Sequence, residues 1–488
     1  MRKYFGTDGV RGVANKELTC DLAYKLGRAG GYVLANNEYK VKVVVGRDTR
    51  QSGDMLEAAL IAGLMSVGCD VITVGVIPTP GVAYLTRKYG AECGVVISAS
   101  HNPMEDNGIK FFNKDGFKLD DQIELKIEEY IDNIEKIDYN PIGNEVGIKI
   151  HKHTATQDYV DYLKSIVNTD LTGLKVVLDC ANGAAYKVAP MVFKELGAEV
   201  IAMNITPNGE NINHECGSTH PEGLKKAVIE HKADLGLAYD GDADRLIAVD
   251  EKGHEVDGDH IMILGAVYLK KQNKLANDTL VVTTMSNIGL HAAAKEYGID
   301  LAITDVGDRY VIEEMKKSGH NLGGEQSGHM IFLDYNTTGD GTLSSLIVSK
   351  IVKEEGKTLS EQSALMTTYP QVLINVEVRN EVKNKFVYSN DILKLMVNEN
   401  YDIYKVLNIT DIKLNNLSEV KYDDETVYQK EIKGVKATIE LIVKAEQYAP
   451  IYMFLKSSEY ENGFSSKMKK SKMKIKKIRK IHKNQEIQ

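Results

Sequence analysis

The segment KVVVGRDTRQSGDMLEAALIAGLMSVGCDVITV, Lys42 to Val74, reads as a βαβ unit. Its ends, KVVV (Lys42 to Val45) and DVITV (Asp70 to Val74), are short β-branched runs. Between them, Asp54 to Val67 carries the apolar spacing of an amphipathic helix. Such alternation specifies α/β layers, because each strand must cover its faces with helices. The pattern recurs at LKVVLD (Leu174 to Asp179) before a helical stretch. It recurs again at TLVVTTM (Thr279 to Met285), followed by Ile288 to Tyr297 and LAIT (Leu301 to Thr304). We therefore expect three similar α/β mixed-sheet domains, followed by a C-terminal α+β domain that opens with QVLINVEV at Gln371. Borders near His151 to Thr156, Asp257 to Asp259 and Tyr369 divide the chain into 1–152, 153–256, 257–369 and 370–464, with a tail at 465–488.

The 488 residues are 43% hydrophobic and 26% charged, an ordinary balance for a globular protein able to bury several cores. No apolar stretch approaches the ~20 residues of a membrane span, and MRKYFGTDG lacks the apolar run of a signal peptide. The expectation is a cytoplasmic chain without a membrane partner. Cys20, Cys69, Cys93, Cys180 and Cys216 are scattered and form no CxxC pair, so they read as reduced, mostly buried thiols. The His151 to His153 triplet reads as a solvated boundary rather than a metal site.

The apolar run Cys93 to Ile97 ends in SASHNP, Ser98 to Pro103, where Asn102-Pro103 imposes a turn. Ser100 is expected there as an exposed, sterically open hydroxyl. His101 and Lys110 nearby are able to supply positive charge or to move protons near neutral pH. The plain alternative is an ordinary Ser/Asn/Pro loop.

DGDADR, Asp240 to Arg245, is more specific. Carboxylates at i, i+2 and i+4 of an extended segment project to one side and converge on a cation. An EF-hand loop would place ligands at the same positions, with Glu251 at the twelfth. It is disfavoured because Arg245 stands where that loop needs glycine, and because LGLAY and LIAVD alternate like strands. A three-carboxylate site with room for a phosphate oxygen suits Mg²⁺, while a solvated acidic turn is the plain alternative.

Two further clusters suit a phosphorylated polyol. VGDRY, Val306 to Tyr310, sets Gly307, Asp308 and Arg309 at a helix start, and GGEQSGH, Gly323 to His329, places Glu325, Ser327 and His329 in a glycine-flexible loop. GTDGVRG (Gly6 to Gly12) and GRDTRQSG (Gly46 to Gly53) put Arg11, Arg47 and Arg50 in glycine-bearing loops of a kind that handles phosphate. Glycine-rich surface loops without a ligand would explain each of these taken singly.

In this order, FGTDGVRG, ISASHNPMEDNGIKFF, GDADRLIAVDEKG, VGDRYV and LGGEQSGH resemble the α-D-phosphohexomutase family, from about Lys3 through about Val378. The resemblance implies that Ser100 carries a transferable phosphate and that Asp240, Asp242 and Asp244 bind Mg²⁺, with the phosphoserine oxygen completing the shell. It places Arg245 and Lys110 beside the transferring phosphoryl, Lys110 as a candidate proton carrier, and His101 in support of the serine loop. Thr7 and Arg11 match its phosphate environment. Glu325, Ser327 and His329, with Gly307, Asp308 and Arg309, match its sugar-binding loops. The glutamine of GGEQSGH favours the amino-sugar branch over the phosphomannomutase/phosphoglucomutase branch. That branch implies interconversion of glucosamine 6-phosphate and glucosamine 1-phosphate through a hexose 1,6-bisphosphate, feeding UDP-N-acetylglucosamine and cell-wall precursors.

The C-terminus departs from that pattern. The family's fourth domain carries an RxSGTEP-type loop for the non-reacting phosphate, and this chain reads LIVKAEQYAPIYMFLKSSEYENGF (Leu441 to Phe464) instead. A catalytically impaired hexose-phosphate-binding protein is therefore the alternative function. The tail that follows has ten Lys or Arg between Lys467 and Lys483. It reads first as a frameshifted end, then as a solvated helix, then as a basic extension for nucleic acid or an anionic surface. The whole chain has net charge −9. Removing the tail's ten cations and its one acid, Glu486, leaves a body near −18, which is not expected to bind nucleic acid.

Overall fold

The computed structural model describes residues 3–6, 8–35 and 40–369, together with the strand segments 371–376, 418–422, 425–432, 435–443 and 449–457. The tail and Thr7 lie outside the described residues, as does much of 370–464, including the segment between 377 and 417.

The first sheet holds β1 (Val10–Val13), β2 (Lys42–Arg47), β3 (Asp70–Val76), β4 (Cys93–Ile97), β5 (Asp106–Asn113) and β6 (Lys149–His151), in the order β1-β5-β4-β2-β3-β6. β4, β2, β3 and β6 pair in parallel, while β5 runs antiparallel to both β4 and β1. The sheet is mixed, as expected. The expected helix over Asp54 to Val67 spans Ser52–Met65. The KVVV run is apolar without a break because both faces of the sheet are covered. Val44 packs into one core cluster, and Val43 and Val45 into another.

The second sheet holds β7 (Lys175–Asp179), β8 (Glu199–Met203), β9 (Leu235–Tyr239), β10 (Leu246–Asp250) and β11 (Glu255–Val256), in the order β11-β10-β9-β7-β8. The third holds β12 (Thr279–Thr283), β13 (Asp300–Thr304), β14 (Leu322–Gly324) and β15 (Met330–Phe332), in the order β13-β12-β14-β15. Each combines parallel pairs with an antiparallel edge. One core cluster runs from Val44 through Leu178 and Leu237 to Leu346, so the three α/β domains share buried apolar surface.

Separately, β16 (Gln371–Val376), β17 (Ser418–Tyr422), β18 (Glu425–Ile432), β19 (Val435–Val443) and β20 (Ala449–Ser457) form an antiparallel sheet in the order β16-β20-β19-β18-β17. No helix among the described residues is long and apolar enough to cross a membrane. Four of the five cysteines are buried and none is bonded to another.

Candidate active site

Ser100 sits just beyond β4 with φ +52°, a left-handed backbone that a residue with a side chain keeps only where its surroundings fix it. Its N–H donates to Ser98 Oγ at 3.0 Å. Its carbonyl accepts from Arg50 Nη2 and from Asn213 Nδ2, each at 2.8 Å. The hydroxyl donates to Asp240 Oδ2 at 2.6 Å. Ser100 is only 2% exposed, which corrects the expectation of an open serine: Asn213 and Asp240, from distant segments, close over it.

Arg50 is fully buried rather than on a phosphate-handling surface. Its Nε pairs with Asp48 Oδ2 at 2.9 Å, and its two terminal nitrogens donate to the carbonyls of Pro103, Ser100 and Asn102. Asp48 also accepts from Ser98 Oγ at 2.6 Å, so one buried ion pair grips both sides of the serine loop. Arg47 turns to Asp54 and Glu57 beside the helix Ser52–Met65.

Asp240, Asp242 and Asp244 bring a carboxylate oxygen each within 4.8 Å of one another, and all three are buried. The convergence does not come from an extended segment. The three lie in the tight turn between antiparallel β9 and β10, where Ala243 has φ +58°. Two strands flank the turn, against the EF-hand alternative. Burial, then the neighbouring Asp244 and Asp242 charges, push the Asp240 carboxyl well above its usual range. Asp242 Oδ1 and Asp244 Oδ1 are buried without a hydrogen-bond partner. Three clustered carboxylates with orphaned oxygens fit a divalent cation that prefers oxygen ligands.

The Oδ2 oxygens of this turn are held from outside it. Asp242 Oδ2 accepts from Thr79 Oγ1 at 2.7 Å and from Lys110 Nζ at 2.9 Å. Burial opposes the charge on Asp244, but His329, Lys110 and Arg245 overcome it and hold that carboxyl below the usual range. His329 Nδ1 lies 3.4 Å from Asp244 Oδ2. Burial also opposes charge on His329, yet Asp244, Asp308 and Glu325 push its pKa up to about 9.

Lys110 is on β5, opposite Val96, and its buried ammonium reaches Asp8 Oδ2 at 2.9 Å as well as Asp242. Burial works against its charge, but Asp242, Asp8 and Asp244 raise its pKa and favour the ammonium form. His101 Nδ1 is 3.4 Å from Ser100 Oγ. Burial, with Arg245 and Arg11 nearby, holds its pKa down to about 4. It is therefore neutral near pH 7. The Arg245 backbone N–H donates to Asp240 Oδ1 at 3.2 Å. Arg245 Nε and Arg11 Nε are buried donors without a hydrogen-bond partner, a pair suited to an anion.

GGEQSGH is joined directly to the aspartate turn. Arg245 and His329 form a backbone bridge, and Leu246 N–H donates to Gly328 O at 3.0 Å. Gly328 has φ +93°, and a Cβ there would meet Leu246 O at 2.2 Å, so glycine is needed for the approach. Glu325 is half-buried, accepts from Gly307 N at 3.0 Å, and has its pKa raised first by burial. Ser327 is exposed at the tip of the loop. Asp308 Oδ2 lies 3.5 Å from His329 Nε2 and is also paired to Lys118. Arg309 is engaged by Asp121 and Glu313. Sequence reasoning missed Thr79, Asn213, Asp8 and Lys118. Only Asp8 had a local signal, an acid between two glycines in GTDGVRG.

This geometry has known counterparts. Phosphoglucomutase/phosphomannomutase alpha/beta/alpha domains I, II and III match residues 2–138, 157–253 and 257–369 respectively. The chain belongs to that family, the α-D-phosphohexomutases. Among curated relatives, the phosphoglucosamine mutase of Clostridioides difficile (strain 630) is 76% identical over 387 residues, covering 79% of this chain and 86% of the relative. That of Thermoanaerobacter sp. (strain X514) is 59% identical over 399 residues, covering 82% and 89%. A phosphoglucomutase/phosphomannomutase family protein from Burkholderia thailandensis has a crystal structure similar in fold, with TM-score 0.71, 24% identity, and coverage of 97% of this chain and 98% of that one.

Proposed function

We propose that the chain acts as a phosphoglucosamine mutase, interconverting glucosamine 6-phosphate and glucosamine 1-phosphate through a 1,6-bisphosphate. The observation that carries this reading is the Ser100 hydroxyl held 2.6 Å from Asp240 at the mouth of a three-aspartate turn. The high identity to curated phosphoglucosamine mutases supports the amino-sugar substrate. Mg²⁺ is the cofactor this donor set favours, held by Asp240, Asp242, Asp244 and an oxygen of phosphorylated Ser100. Bound there, it would neutralise charge developing on the phosphoryl oxygens.

The residues divide the remaining work. Ser100 Oγ carries the phosphoryl. In the forward direction its P–O bond breaks as a bond forms to O1 of glucosamine 6-phosphate, and the O1 proton ends, by way of solvent, on the freed Ser100 Oγ. The 1,6-bisphosphate then turns, its O6–P bond breaks as the 6-phosphoryl passes to Ser100 Oγ, O6 takes up the Ser100 proton, and glucosamine 1-phosphate leaves. Lys110 and Arg245 supply fixed positive charge beside the transferring group, where such preorganised charge lowers the barrier. Arg11 offers a further unpaired N–H to the same anion. Glu325 with Ser327 and His329 lines the sugar side. The organisation that supports this is 1–152, 153–256 and 257–369, since β6 closes the first sheet, β11 the second, and the helix Gly258–Lys271 opens the third unit.

The test is ³¹P NMR of the chain with Mg²⁺, a trace of glucose 1,6-bisphosphate and glucosamine 6-phosphate. A growing glucosamine 1-phosphate signal is expected. Its absence while Ser100 still gains phosphate would leave the hexose-phosphate-binding alternative.

A further inference from the structure

Seven charged side chains form one connected series at the candidate site. Asp242 pairs with Lys110, Lys110 with Asp8 at 2.9 Å, Asp8 with Lys118, and Lys118 with Asp308; His329 then joins Asp308 back to Asp244. The signs alternate from Asp242 through to Asp244, and Lys110, 4.0 Å from Asp244, closes six of the seven into a loop. The members come from the first sheet's domain (Asp8, Lys110, Lys118), the aspartate turn (Asp242, Asp244) and the third domain (Asp308, His329).

Lys118 is a member of this loop to which the reading of the reaction gives no task. Its side chain is 22% exposed and ion-paired on both sides, to Asp8 and to Asp308. Its pKa is raised despite burial, with Asp308 and Asp8 as the causes. The segment that bears it is fastened to the third domain on either flank. Thr337 Oγ1 donates to Gly116 O at 2.5 Å, Lys316 lies 4.3 Å from the Phe117 ring centroid, and Arg309 pairs with Asp121. A small cavity of about 70 Å³, lined by Asp8, Lys110, Lys118, Asp308 and Arg309 among others, opens along this seam. Asp8 therefore has one oxygen on Lys110 and the other on Lys118. Asp308 stands at the start of the helix Asp308–Ser318, directly after Gly307, whose N–H is held by Glu325.

We propose that Lys118 is a positioning residue for phosphoryl transfer, acting through Asp8 to fix the Lys110 ammonium and through Asp308 to fix the loop that carries Gly307 and Glu325. The physical basis is that Asp8 and Asp308 are like charges, and Lys118 is the one cation among the described residues that pairs with both. Without that cation Asp8 is left with Lys110 and Arg11 alone, and the carboxylate that orients Lys110 loses its second anchor. A displacement near one ångström at a transfer site costs on the order of a hundredfold in rate.

This inference rests on the phosphoryl-transfer reading, so its test reads the first half-reaction, the gain of phosphate on Ser100 from glucose 1,6-bisphosphate followed by intact mass, alongside product formation. Lys118→Met is expected to slow Ser100 phosphorylation at least tenfold, with the half-saturating bisphosphate concentration within about twofold and the thermal midpoint near that of the unchanged protein. Lys118→Arg, which keeps the charge, is expected to recover most of the loss. In the Asp308→Asn background Lys118→Met should cost clearly less than it does alone, because the shared contact is already gone.

A Lys118→Met rate within twofold of the unchanged protein overturns the proposal. So does Lys118→Arg being as slow as Lys118→Met, or additivity with Asp308→Asn. If Lys118→Met fails to fold, the Lys118→Arg rate and the Asp308→Asn, Lys118→Arg double variant decide on the same criteria. An unchanged chain that phosphorylates Ser100 yet forms no glucosamine 1-phosphate refutes the mutase reading and leaves the role of Lys118 to the half-reaction. One that takes no phosphate onto Ser100 at all refutes both.

Discussion

Ser100 Oγ donates to Asp240 Oδ2 at 2.6 Å, across 140 positions of sequence. The hydroxyl expected to carry phosphate is thus already lodged at the edge of the cation site. Ser100→Ala is expected to abolish mutase turnover, with at least a thousandfold loss, while the far-ultraviolet circular dichroism and thermal midpoint stay close to those of the parent. Retention of most of the activity in the ³¹P assay would remove Ser100 from the reaction.

Asp240, Asp242 and Asp244 repel one another when no cation is bound. Asp240→Asn keeps an oxygen for Ser100 but deletes one charge. The metal-free protein should become more stable, by about 1 kcal/mol, and the thermal upshift on adding Mg²⁺ should disappear. A variant that still gains stability from Mg²⁺ to the parental extent would place the cation elsewhere.

His329 has its pKa raised to about 9 by the acids around it. A group whose pKa rises on folding stabilises the fold fully below its unfolded value, near 6.5, and loses that contribution as pH climbs through the folded one. In chelator, stability should fall between pH 6.5 and 9 by the order of 3 kcal/mol more in the parent than in His329→Gln. Parallel urea-denaturation profiles for the two proteins would show that His329 is not protonated at neutral pH.

Arg50 is buried with Asp48 and donates to three carbonyls of the serine loop. Arg50→Ala leaves a buried carboxylate without its cation, which typically costs about 3–5 kcal/mol. Urea denaturation should show that loss. A cost below 1 kcal/mol would mean that the ion pair does not brace the loop.

The legible parts of this molecule were those written in local pattern. The βαβ unit from Lys42 to Val74 was visible because β-branched runs and a helical period adjoin there, and the sheet has the parallel β2–β3 pair this implies. The aspartate triplet was visible because its spacing is compact. What the sequence hid depends on contacts that arrive from afar. Ser100 looked open because Asn213 and Asp240 lie more than a hundred residues away. Arg50 looked like a phosphate ligand because its glycine-bearing loop gave no hint of the distant carbonyls of Ser100, Asn102 and Pro103 that occupy its terminal nitrogens. Which of its two possible roles His101 favours was not legible, because nothing local announces the burial and the two arginines that keep it neutral. Lys118 had no signal at all, since a lysine at a domain seam is written like one in solvent.

The bridge between Arg245 and His329, with the Leu246 to Gly328 hydrogen bond beside it, is made of main chain and admits no side-chain rotamer as a hinge. Aspartate turn and candidate sugar loop are therefore tied backbone to backbone and present a single workstation. Both ends of the bisphosphate must visit it in turn, and the half-rotation between the two transfers falls to the sugar itself. An intermediate of pseudo-symmetric shape, with a phosphate at either end, is the ligand such a workstation can process without rebuilding itself between steps.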